Sequence, residues 1–306
     1  MEKLSALHPG KVRVRALHGA LSRGTEALVF GGRVPESEFE RMRAPLMGGA
    51  FPFPVKYGYA TVGQVEDGPA GLVGRNVFTL HPHQTLFDVP NEAAVPLATD
   101  ASPRRAVLAA NMETAINAVW DAGPKANDRV CIVGAGVVGC LVAFALKQLA
   151  GTGDVTLADV DPGRERLASA LGVKFAKPEA APSDCDLVVH TSATAEGLAT
   201  AINLAADEAT VLELSWYGGG TVPVPLGGAF HSRRLRLVSS QVGKVAPSHR
   251  KEWTHRARLE LALRLTAAPE LDALIEPGIA FHDLPARLPQ ILAPGSGVLC
   301  QAIDYR

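Results

Sequence analysis

Apolar and polar positions follow a regular strand and helix pattern in the middle of the chain. Residues 130–133 form a short apolar run rich in β-branched side chains, which is typical of a buried strand. The segment 137–149 can continue as one helix, and Gly151 and Gly153 supply its stop before a second apolar run at 155–158. This pattern predicts a β-α-β unit.

The alternation of strand and helix patterns continues to about residue 241. It predicts further helices at 162–171 and 195–206, and further strands at 186–190, 210–214 and 235–240. Strands that are separated by single helices must cross over and become parallel. We therefore expect a doubly wound parallel sheet in this part of the chain.

The pattern is different before Glu113. Short β-rich pieces at 11–16, 60–65 and 75–80 are separated by glycine and proline, which favours a compact, mostly antiparallel domain. The tail offers a helix at 250–267 and a closing strand at 298–303, which can rejoin the first domain. We expect one domain of residues 1–115 with 242–306, and a second domain of residues 116–241.

The residues between the first strand and helix of the central unit carry a glycine pattern. Gly134-Ala135-Gly136-Val137-Val138-Gly139 matches the spacing G-x-G-x-x-G, and Asp159 ends the second strand. The first glycine permits a tight turn, the second lets a pyrophosphate approach the backbone, and the third lets the helix pack on the strand. Free N–H groups at the helix N-terminus then face the anion. These residues therefore predict a dinucleotide-binding unit.

Two other interpretations of this stretch are a buried β-α-β unit that binds nothing and a membrane span. Glycine-rich turns occur in many loops, so the spacing alone does not exclude the first. The uncharged run 130–146 is shorter than the about 18 residues expected of a span, and it contains three glycines at fingerprint spacing. We therefore reject the membrane span and retain nucleotide binding.

Asp159 also bears on the choice between cofactors. A carboxylate at the end of the second strand accepts hydrogen bonds from the ribose hydroxyls of NAD and repels the 2′-phosphate of NADP. Arg164 and Arg166 are nearby cations that could accommodate the phosphate, but Asp161 and Pro162 resemble the start of the next helix and place both arginines on its exposed side. We expect NAD rather than NADP.

Size and charge restrict the class of protein. The chain has 306 residues, which is long for one core and sufficient for two domains. Its net charge is -1, and no basic cluster offers a footprint for nucleic acid or for an anionic membrane surface. The first thirty residues contain no apolar core of a secretory signal, and the four cysteines are scattered. We expect a cytoplasmic protein with reduced thiols.

Four segments in the correct order resemble the medium-chain dehydrogenase/reductase family. They are Pro9-Gly10-Lys11-Val12-Arg13-Val14-Arg15, Ser22-Arg23-Gly24-Thr25-Glu26, Tyr57-Gly58-Tyr59-Ala60-Thr61-Val62-Gly63 and Thr114-Ala115. The resemblance implies an α/β protein with a Rossmann doubly wound parallel sheet and a β-rich GroES-like N-terminal domain. The second segment is most similar to the branch that includes bacteriochlorophyllide dehydrogenases, although these few residues do not fix the substrate.

The chain departs from that family at the catalytic metal. The positions aligned with the zinc ligands are Arg23, Tyr59 with Ala60, and Ala110, and none of these can replace a thiolate or an imidazole. The resemblance therefore implies a zinc-free enzyme with no zinc cofactor. It would transfer hydride between nicotinamide and an alcohol, a carbonyl or an activated alkene in the interdomain cleft.

Without a metal, side-chain donors must bind the substrate oxygen. Thr25 matches a hydroxyl that hydrogen-bonds the substrate in related dehydrogenases, although a turn threonine that bonds its own backbone is equally compatible. Tyr59 could donate to a carbonyl, and Arg23 could lower the pKa of its phenol. Both side chains could instead simply fill the former metal site. Glu113 is a further catalytic candidate, with helix capping as the favoured alternative.

Other polar residues are expected beside the cofactor. Thr191 and Ser192 end the fourth predicted strand, Ser215 follows the fifth and Ser240 ends the sixth, so all lie at the carboxyl edge where ligands bind. His190 is expected to border the cofactor as well. The pair His81 and His83 could form half of a metal site, but solvated loop histidines are the favoured interpretation.

The sequence leaves two other functions open, and one of them is a quinone-type reductase that prefers NADPH. A non-catalytic NAD(H)-binding sensor, in which loss of the metal marks loss of turnover, has the same fingerprint. The resemblance also implies a homodimer that pairs through the edge strand of the nucleotide domain, at 235–242. The partners that we expect are a small-molecule substrate and a second copy of the chain, with no nucleic acid and no membrane.

Overall fold

The computed structural model describes residues 4–305 of the chain. Its strands are β1 Lys11–Leu21, β2 Gly48–Gly49, β3 Val55–Lys56, β4 Thr61–Asp67, β5 Asn76–Thr79, β6 Leu86–Pro90, β7 Val95–Pro96, β8 Arg129–Val133, β9 Asp154–Ala158, β10 Lys174–Ala176, β11 Cys185–His190, β12 Ala205–Glu213, β13 Arg236–Ser239, β14 Ile275–Ala280 and β15 Cys300–Asp304. Its α-helices are α1 Arg23–Phe30, α2 Pro103–Ala106, α3 Ala109–Ala122, α4 Val137–Ala145, α5 Glu165–Leu171, α6 Ala195–Leu204, α7 His255–Leu265 and α8 Leu284–Ile291.

Backbone contacts divide the described chain into two compact units. The first unit contains residues 4–110 and 263–305, and the second contains Asn111–Ala262. The domain bounds expected from the sequence, 1–115 with 242–306 and 116–241, stay a prediction. Residues 1–3 and 306 of that prediction lie outside the part of the chain that the structure describes.

The first unit is built on a mostly antiparallel sheet. Within the described residues its strand order is β14-β15-β1-β4-β5-β7, and β6 also pairs with β1. The long strand β1 pairs antiparallel with β4, β6 and β15. Its alternate residues Val12 and Val14 are fully buried and pack in one cluster with Val65 and Phe87. The predicted return of the closing strand to the first domain is confirmed by the pairing of His18 with Asp304.

The second unit is a doubly wound parallel sheet. Its strand order is β10-β9-β8-β11-β12-β13, and all neighbouring strands in it are parallel. Helix α6 covers one face through Leu198, Ala201 and Ile202, which pack in one cluster with Cys131 and Val188. The predicted fold class, a Rossmann sheet with a separate β-rich domain, is therefore confirmed.

Several element bounds differ from the sequence prediction. Strand β10 was not expected, because it is only three residues long and has no buried apolar run. Helix α7 begins at His255 rather than at 250, and β12 begins at Ala205, so the helix predicted at 195–206 ends earlier. No helix among residues 4–305 combines the length and the apolar character needed to cross a membrane.

Candidate functional site

The bend that follows β8 explains the three glycines. Gly134 has a φ of +111°, and a Cβ placed on it would lie 2.8 Å from the Ser192 nitrogen. A Cβ on Gly139 would overlap the Gly134 carbonyl oxygen, so this glycine allows the helix to pack against the bend. Gly136 is different, because it is exposed and its Cβ would meet nothing within 4 Å. The space beside Gly136 is therefore open to a ligand.

Helix α4 begins directly at this open position. Its N-cap is Gly136, and no side chain of the cap accepts a hydrogen bond from the first turn. Val137 and Val138 form that first turn and are half-buried. The N–H groups of a helix start that lacks a side-chain cap are suited to an anion such as pyrophosphate. The start of α4 at Gly136 thus fits the phosphate groups of a dinucleotide.

Asp159 lies beside this bend, at the end of β9. Its Oδ2 accepts the Ala135 N–H at 2.7 Å, and its Oδ1 accepts the Asp161 N–H at 2.9 Å. Asp161 is the N-cap of the next helical turn, with Pro162 after it, as predicted. Of the two arginines predicted to be exposed, Arg166 is exposed, whereas the Arg164 side chain is only 14% exposed and forms an ion pair with Asp161 at 3.2 Å.

The predicted cofactor residues on the other strands surround a buried histidine. His190 Nδ1 lies 2.7 Å from Glu213 Oε2, and His190 Nε2 lies 2.7 Å from Ser192 Oγ. The Ser215 N–H donates to Glu213 Oε1 at 2.6 Å, and the Tyr217 hydroxyl donates to Glu213 Oε2 at 3.1 Å. Sequence reasoning missed Glu213, although its position directly across from His190 follows from the parallel register.

The remaining two cofactor candidates support the same edge of the sheet. Thr191 Oγ1 donates to the Gly134 carbonyl at 2.8 Å, which ties the end of β11 to the glycine bend. Ser240 Oγ donates to Asp121 Oδ2 at 2.7 Å and so connects the end of β13 with α3. Ser192 and Thr191 are both half-buried. The hydroxyls of Thr191 and Ser240 therefore each make a structural hydrogen bond.

In the first unit, the structure brings Thr25 and Tyr59 together. The hydroxyls of Ser22 and Thr25 share hydrogen bonds with the Tyr59 phenol. Thr25 lies in the first turn of α1, so the turn expected at this segment is the start of a helix. Burial, together with the nearby Glu26 carboxylate, raises the pKa of Tyr59 to about 12 in spite of those hydrogen bonds.

Arg23 does not produce the shift that the sequence suggested. A cation beside Tyr59 would lower the phenol pKa, whereas the pKa of Tyr59 is raised. Arg23 Nη2 instead donates to the Ala293 carbonyl at 3.2 Å, within the same unit. The expectation that this arginine turns the phenol into a base is therefore wrong, and a direct role of Arg23 toward substrate stays a prediction.

Glu26, the residue that follows Thr25, lies within hydrogen-bond distance of a histidine, His83. Glu26 Oε1 accepts the Ser22 N–H at 2.8 Å, and Glu26 Oε2 lies 2.9 Å from His83 Nε2. The side chains of Glu26 and His83 are 8% and 10% exposed. His83 packs against Gly58, where a Cβ would lie 2.7 Å from its ring. The residue after Gly58 is Tyr59, so the dyad is built into the same segment as the phenol.

The two histidines of the predicted half metal site are used differently. His83 forms the dyad with Glu26. His81 is buried and stacks on Phe87 with ring centroids 3.8 Å apart. Burial lowers the pKa of His81 to about 4, so this imidazole stays neutral at physiological pH. The expectation of solvated loop histidines is wrong, because both rings are covered.

Glu113 lies in the second unit, inside α3. The helix begins at Ala109, so the interpretation of Glu113 as an N-terminal dipole partner is wrong. Glu113 Oε1 lies 3.0 Å from Arg258 Nε, and both side chains are almost fully buried. Arg258 also donates to Asn117 Oδ1 at 2.7 Å. A catalytic role for Glu113 stays a prediction, and the contacts describe it as half of a buried ion pair.

The donor set at the aligned metal positions does not fit zinc. Arg23 is a cation, Tyr59 keeps its proton because its pKa is raised to about 12, and Ala110 has no donor atom in its side chain. Among residues 4–305, no group of three or more His, Cys, Asp and Glu side chains is arranged to hold a metal ion.

Solved structures with the same architecture provide the comparison with known proteins. The match to a short chain alcohol dehydrogenase from Escherichia coli, in complex with NADH, has a TM-score of 0.76 and 16% identity over 99% of this chain and 94% of that chain. The match to the 2R,3R-butanediol dehydrogenase from Bacillus subtilis has a TM-score of 0.76 and 18% identity over 100% and 95%. The chain has an alcohol dehydrogenase fold.

A third structure with the alcohol dehydrogenase fold is a dehydrogenase from Sinorhizobium meliloti bound to NADP, with a TM-score of 0.75 and 19% identity over 98% of this chain and 93% of that chain. No family model matches the sequence, and the search of curated proteins finds no match. The likeness confirms the fold that the resemblance to the medium-chain dehydrogenase/reductase family implies. The zinc-free branch of that family stays a prediction.

Proposed function

We propose that the chain is an NAD(P)-dependent oxidoreductase that transfers hydride between nicotinamide and an alcohol, a carbonyl or an activated alkene. The observation that carries this proposal is the open space at Gly136, at the start of α4, within an alcohol dehydrogenase fold. Solved proteins with this fold include a complex with NADH and a complex with NADP. A bound dinucleotide supplies or accepts the hydride.

The residues of this chain bind the reacting oxygen. Tyr59 carries its proton at neutral pH, because burial and the Glu26 carboxylate raise its pKa to about 12. A protonated phenol can donate a hydrogen bond to a carbonyl oxygen and to the alkoxide that develops when hydride arrives. Thr25 holds the phenol in place and offers a second hydroxyl. This pair favours the reductive direction over proton abstraction from an alcohol.

We infer that this reaction does not use zinc. The support is the donor set, in which Arg23 and Ala110 stand at two of the aligned metal positions and offer neither thiolate nor imidazole. In zinc enzymes the metal binds the substrate oxygen as a Lewis acid. In this chain the Tyr59 and Thr25 hydroxyls would bind that oxygen instead. A small molecule is the substrate, and a cytoplasmic location stays a prediction from the sequence.

Three measurements on the purified chain test the proposal. NADH fluorescence titration measures binding, oxidation of NADH with a panel of aldehydes, ketones and enones measures turnover, and elemental analysis measures metal content. We expect binding, turnover and less than stoichiometric zinc. Absence of nucleotide binding contradicts the proposal as a whole. Binding without turnover on any substrate favours the NAD(H) sensor, and stoichiometric zinc contradicts the zinc-free mechanism.

We propose NAD rather than NADP as the preferred cofactor, because the Asp159 carboxylate is fixed beside the glycine bend. Replacing Asp159 with serine should raise the affinity for NADPH relative to NADH by about tenfold, since the repulsion of the 2′-phosphate is removed. Fluorescence titration with both nucleotides measures the ratio. The substitution also removes an acceptor for the Ala135 N–H, which weakens both nucleotides alike, so an unchanged ratio would show that Asp159 does not face the ribose.

We propose a homodimer that forms at the outer edge of the second unit. Strand β13 is the edge strand of its sheet, and its side chains Leu237 and Val238 are each 37% exposed. An exposed apolar edge strand with unpaired backbone groups is a template for pairing with a second copy. Sedimentation at micromolar concentration should give a dimer, and Leu237→Lys should shift it toward monomer. A wild-type chain that sediments only as monomer would remove this proposal.

A further inference from the structure

A hydrogen-bonded series of Glu213, His190 and Ser192 lies at the ends of β11 and β12. His190 is fully buried, and its two ring nitrogens lie 2.7 Å from Glu213 Oε2 and 2.7 Å from Ser192 Oγ. Glu213 is 15% exposed on its side chain. Because the parallel register sets His190 directly beside Glu213, the two strands fix this pair without help from a loop.

The contacts of Glu213 decide where the protons lie. Burial acts to raise the pKa of Glu213, but the hydrogen bonds with His190 and Ser215 and the charge attraction to His190 outweigh it and lower the pKa below its usual range. An ionised carboxylate only accepts hydrogen bonds, so His190 Nδ1 carries a proton and donates a hydrogen bond to Glu213. His190 Nε2 lies 2.7 Å from the Ser192 hydroxyl at the other end of the series. The proton position on Nδ1 follows from the hydrogen-bond network.

The series stands at the point where the sheet reverses its winding. From β8 the chain continues to β9 and β10 on one side, whereas β11 continues to β12 and β13 on the other. Ligands of doubly wound sheets bind outside the carboxyl ends of the strands at this switch point. A Cβ on Gly134 would lie 2.8 Å from the Ser192 nitrogen, so the turn that carries Ser192 packs directly on the glycine bend.

The two halves of a dinucleotide fall on opposite sides of that point. Asp159 directly follows β9, and its carboxylate would place the adenosine half on the β9 side. The nicotinamide half would then extend toward the ends of β11 and β12. His190 and Glu213 lie side by side there. The oxidised nicotinamide ring carries a positive charge, and the reduced ring is neutral. A fixed carboxylate at this edge therefore interacts differently with the two forms.

We propose that the Glu213, His190 and Ser192 series is a charged positioning site for the nicotinamide ring that stabilises its oxidised, cationic form. This inference rests on the proposed function. His190 and Ser215 hold the carboxylate in place, and the Ser192 hydroxyl, which also lies 3.1 Å from the Thr194 hydroxyl, ends the series. The Glu213 carboxylate would thus stabilise the positive charge that a bound nicotinamide ring carries once its hydride has been transferred to a carbonyl carbon.

Binding of the two nucleotide forms tests the inference without any substrate. Affinities for NAD⁺ and NADH are measured for the wild type, for Glu213→Gln and for Glu196→Gln, which removes an exposed carboxylate from the neighbouring helix α6. We expect Glu213→Gln to lower the affinity for NAD⁺ relative to NADH by about tenfold, and the control to leave the ratio unchanged. Equal weakening of both forms would mean that the series only supports the fold and would overturn the proposal.

A second variant keeps the test informative if Glu213→Gln does not fold. His190→Asn removes the imidazole but leaves the Glu213 charge, so the preference for NAD⁺ should be kept or increased. A loss of that preference in His190→Asn would contradict the charge assignment. If the wild type binds neither nucleotide, the proposed function fails, whereas binding of both forms with an unaltered ratio in Glu213→Gln rejects only this inference.

Discussion

Replacing Gly136 with valine is expected to abolish dinucleotide binding while the protein remains folded. A Cβ at this position meets nothing within 4 Å, so a side chain can start here without a clash at its first carbon. It would occupy the space through which a pyrophosphate must approach the start of α4. The affinity for NADH should fall at least a hundredfold, or about 2.7 kcal/mol. Fluorescence titration measures binding, and thermal unfolding measures stability.

Gly139 is the matched control for this prediction. It belongs to the same bend, but a Cβ on it would overlap the Gly134 carbonyl oxygen, which is backbone and cannot rotate away. Gly139→Ala should therefore lower the free energy of unfolding by several kcal/mol. If Gly136→Val binds NADH normally, the bend is not the phosphate site. If both variants lose stability equally, the distinction between open space and packing contact is wrong.

Removal of the Tyr59 hydroxyl is expected to have the largest effect on turnover. Tyr59→Phe deletes the hydroxyl that we propose as the donor to the reacting oxygen and should lower kcat about 10²–10³-fold, with a smaller change in KM. The working form of the phenol is protonated, and the pKa of Tyr59 is raised to about 12, so this group should cause no loss of reductase rate near pH 10, where a free tyrosine titrates. Steady-state kinetics with one carbonyl substrate across pH 6 to about 10 measure both effects.

Tyr57 provides the control for the loss of a hydroxyl. Its ring lies edge-on to Tyr59 with centroids 6.0 Å apart, so Tyr57→Phe removes a phenol from the same aromatic cluster. We expect Tyr57→Phe to retain kcat within about threefold. Thr25→Val should lie between the two variants, because it removes the partner that orients the phenol. Equal losses in Tyr57→Phe and Tyr59→Phe would assign the effect to packing rather than to proton donation.

The glycine bend before α4 could be predicted from the sequence because its requirements are local. Gly134, Gly136 and Gly139 are fixed within one strand-to-helix turn, and Asp159 follows at the end of the next strand. The parallel sheet follows from the alternation of apolar runs and helical segments. The presence and length of short edge strands, such as β10, were less predictable. Edge strands bury few side chains and therefore leave a weak hydrophobic pattern in the sequence.

The two pairs of histidine and carboxylate could not be predicted in this way. Glu26 and His83 are 57 positions apart, and His190 and Glu213 are 23 apart, so neither pair has a spacing that a local motif describes. The first pair depends on the packing of His83 against Gly58. The second depends on the register between β11 and β12. The direction of the Tyr59 pKa shift also depends on tertiary packing, because burial is its largest cause and the Glu26 carboxylate the next.

Strand β15 joins β1 although almost the whole chain separates them, with Asp304 opposite His18. During synthesis, the second unit, Asn111–Ala262, has all of its sheet strands once it has left the ribosome. In the N-terminal sheet, strand β1 lacks its partner β15 until the last strand has been synthesised. Nascent chains stalled before that strand should thus be vulnerable to protease in the first hundred residues and already resistant in the middle.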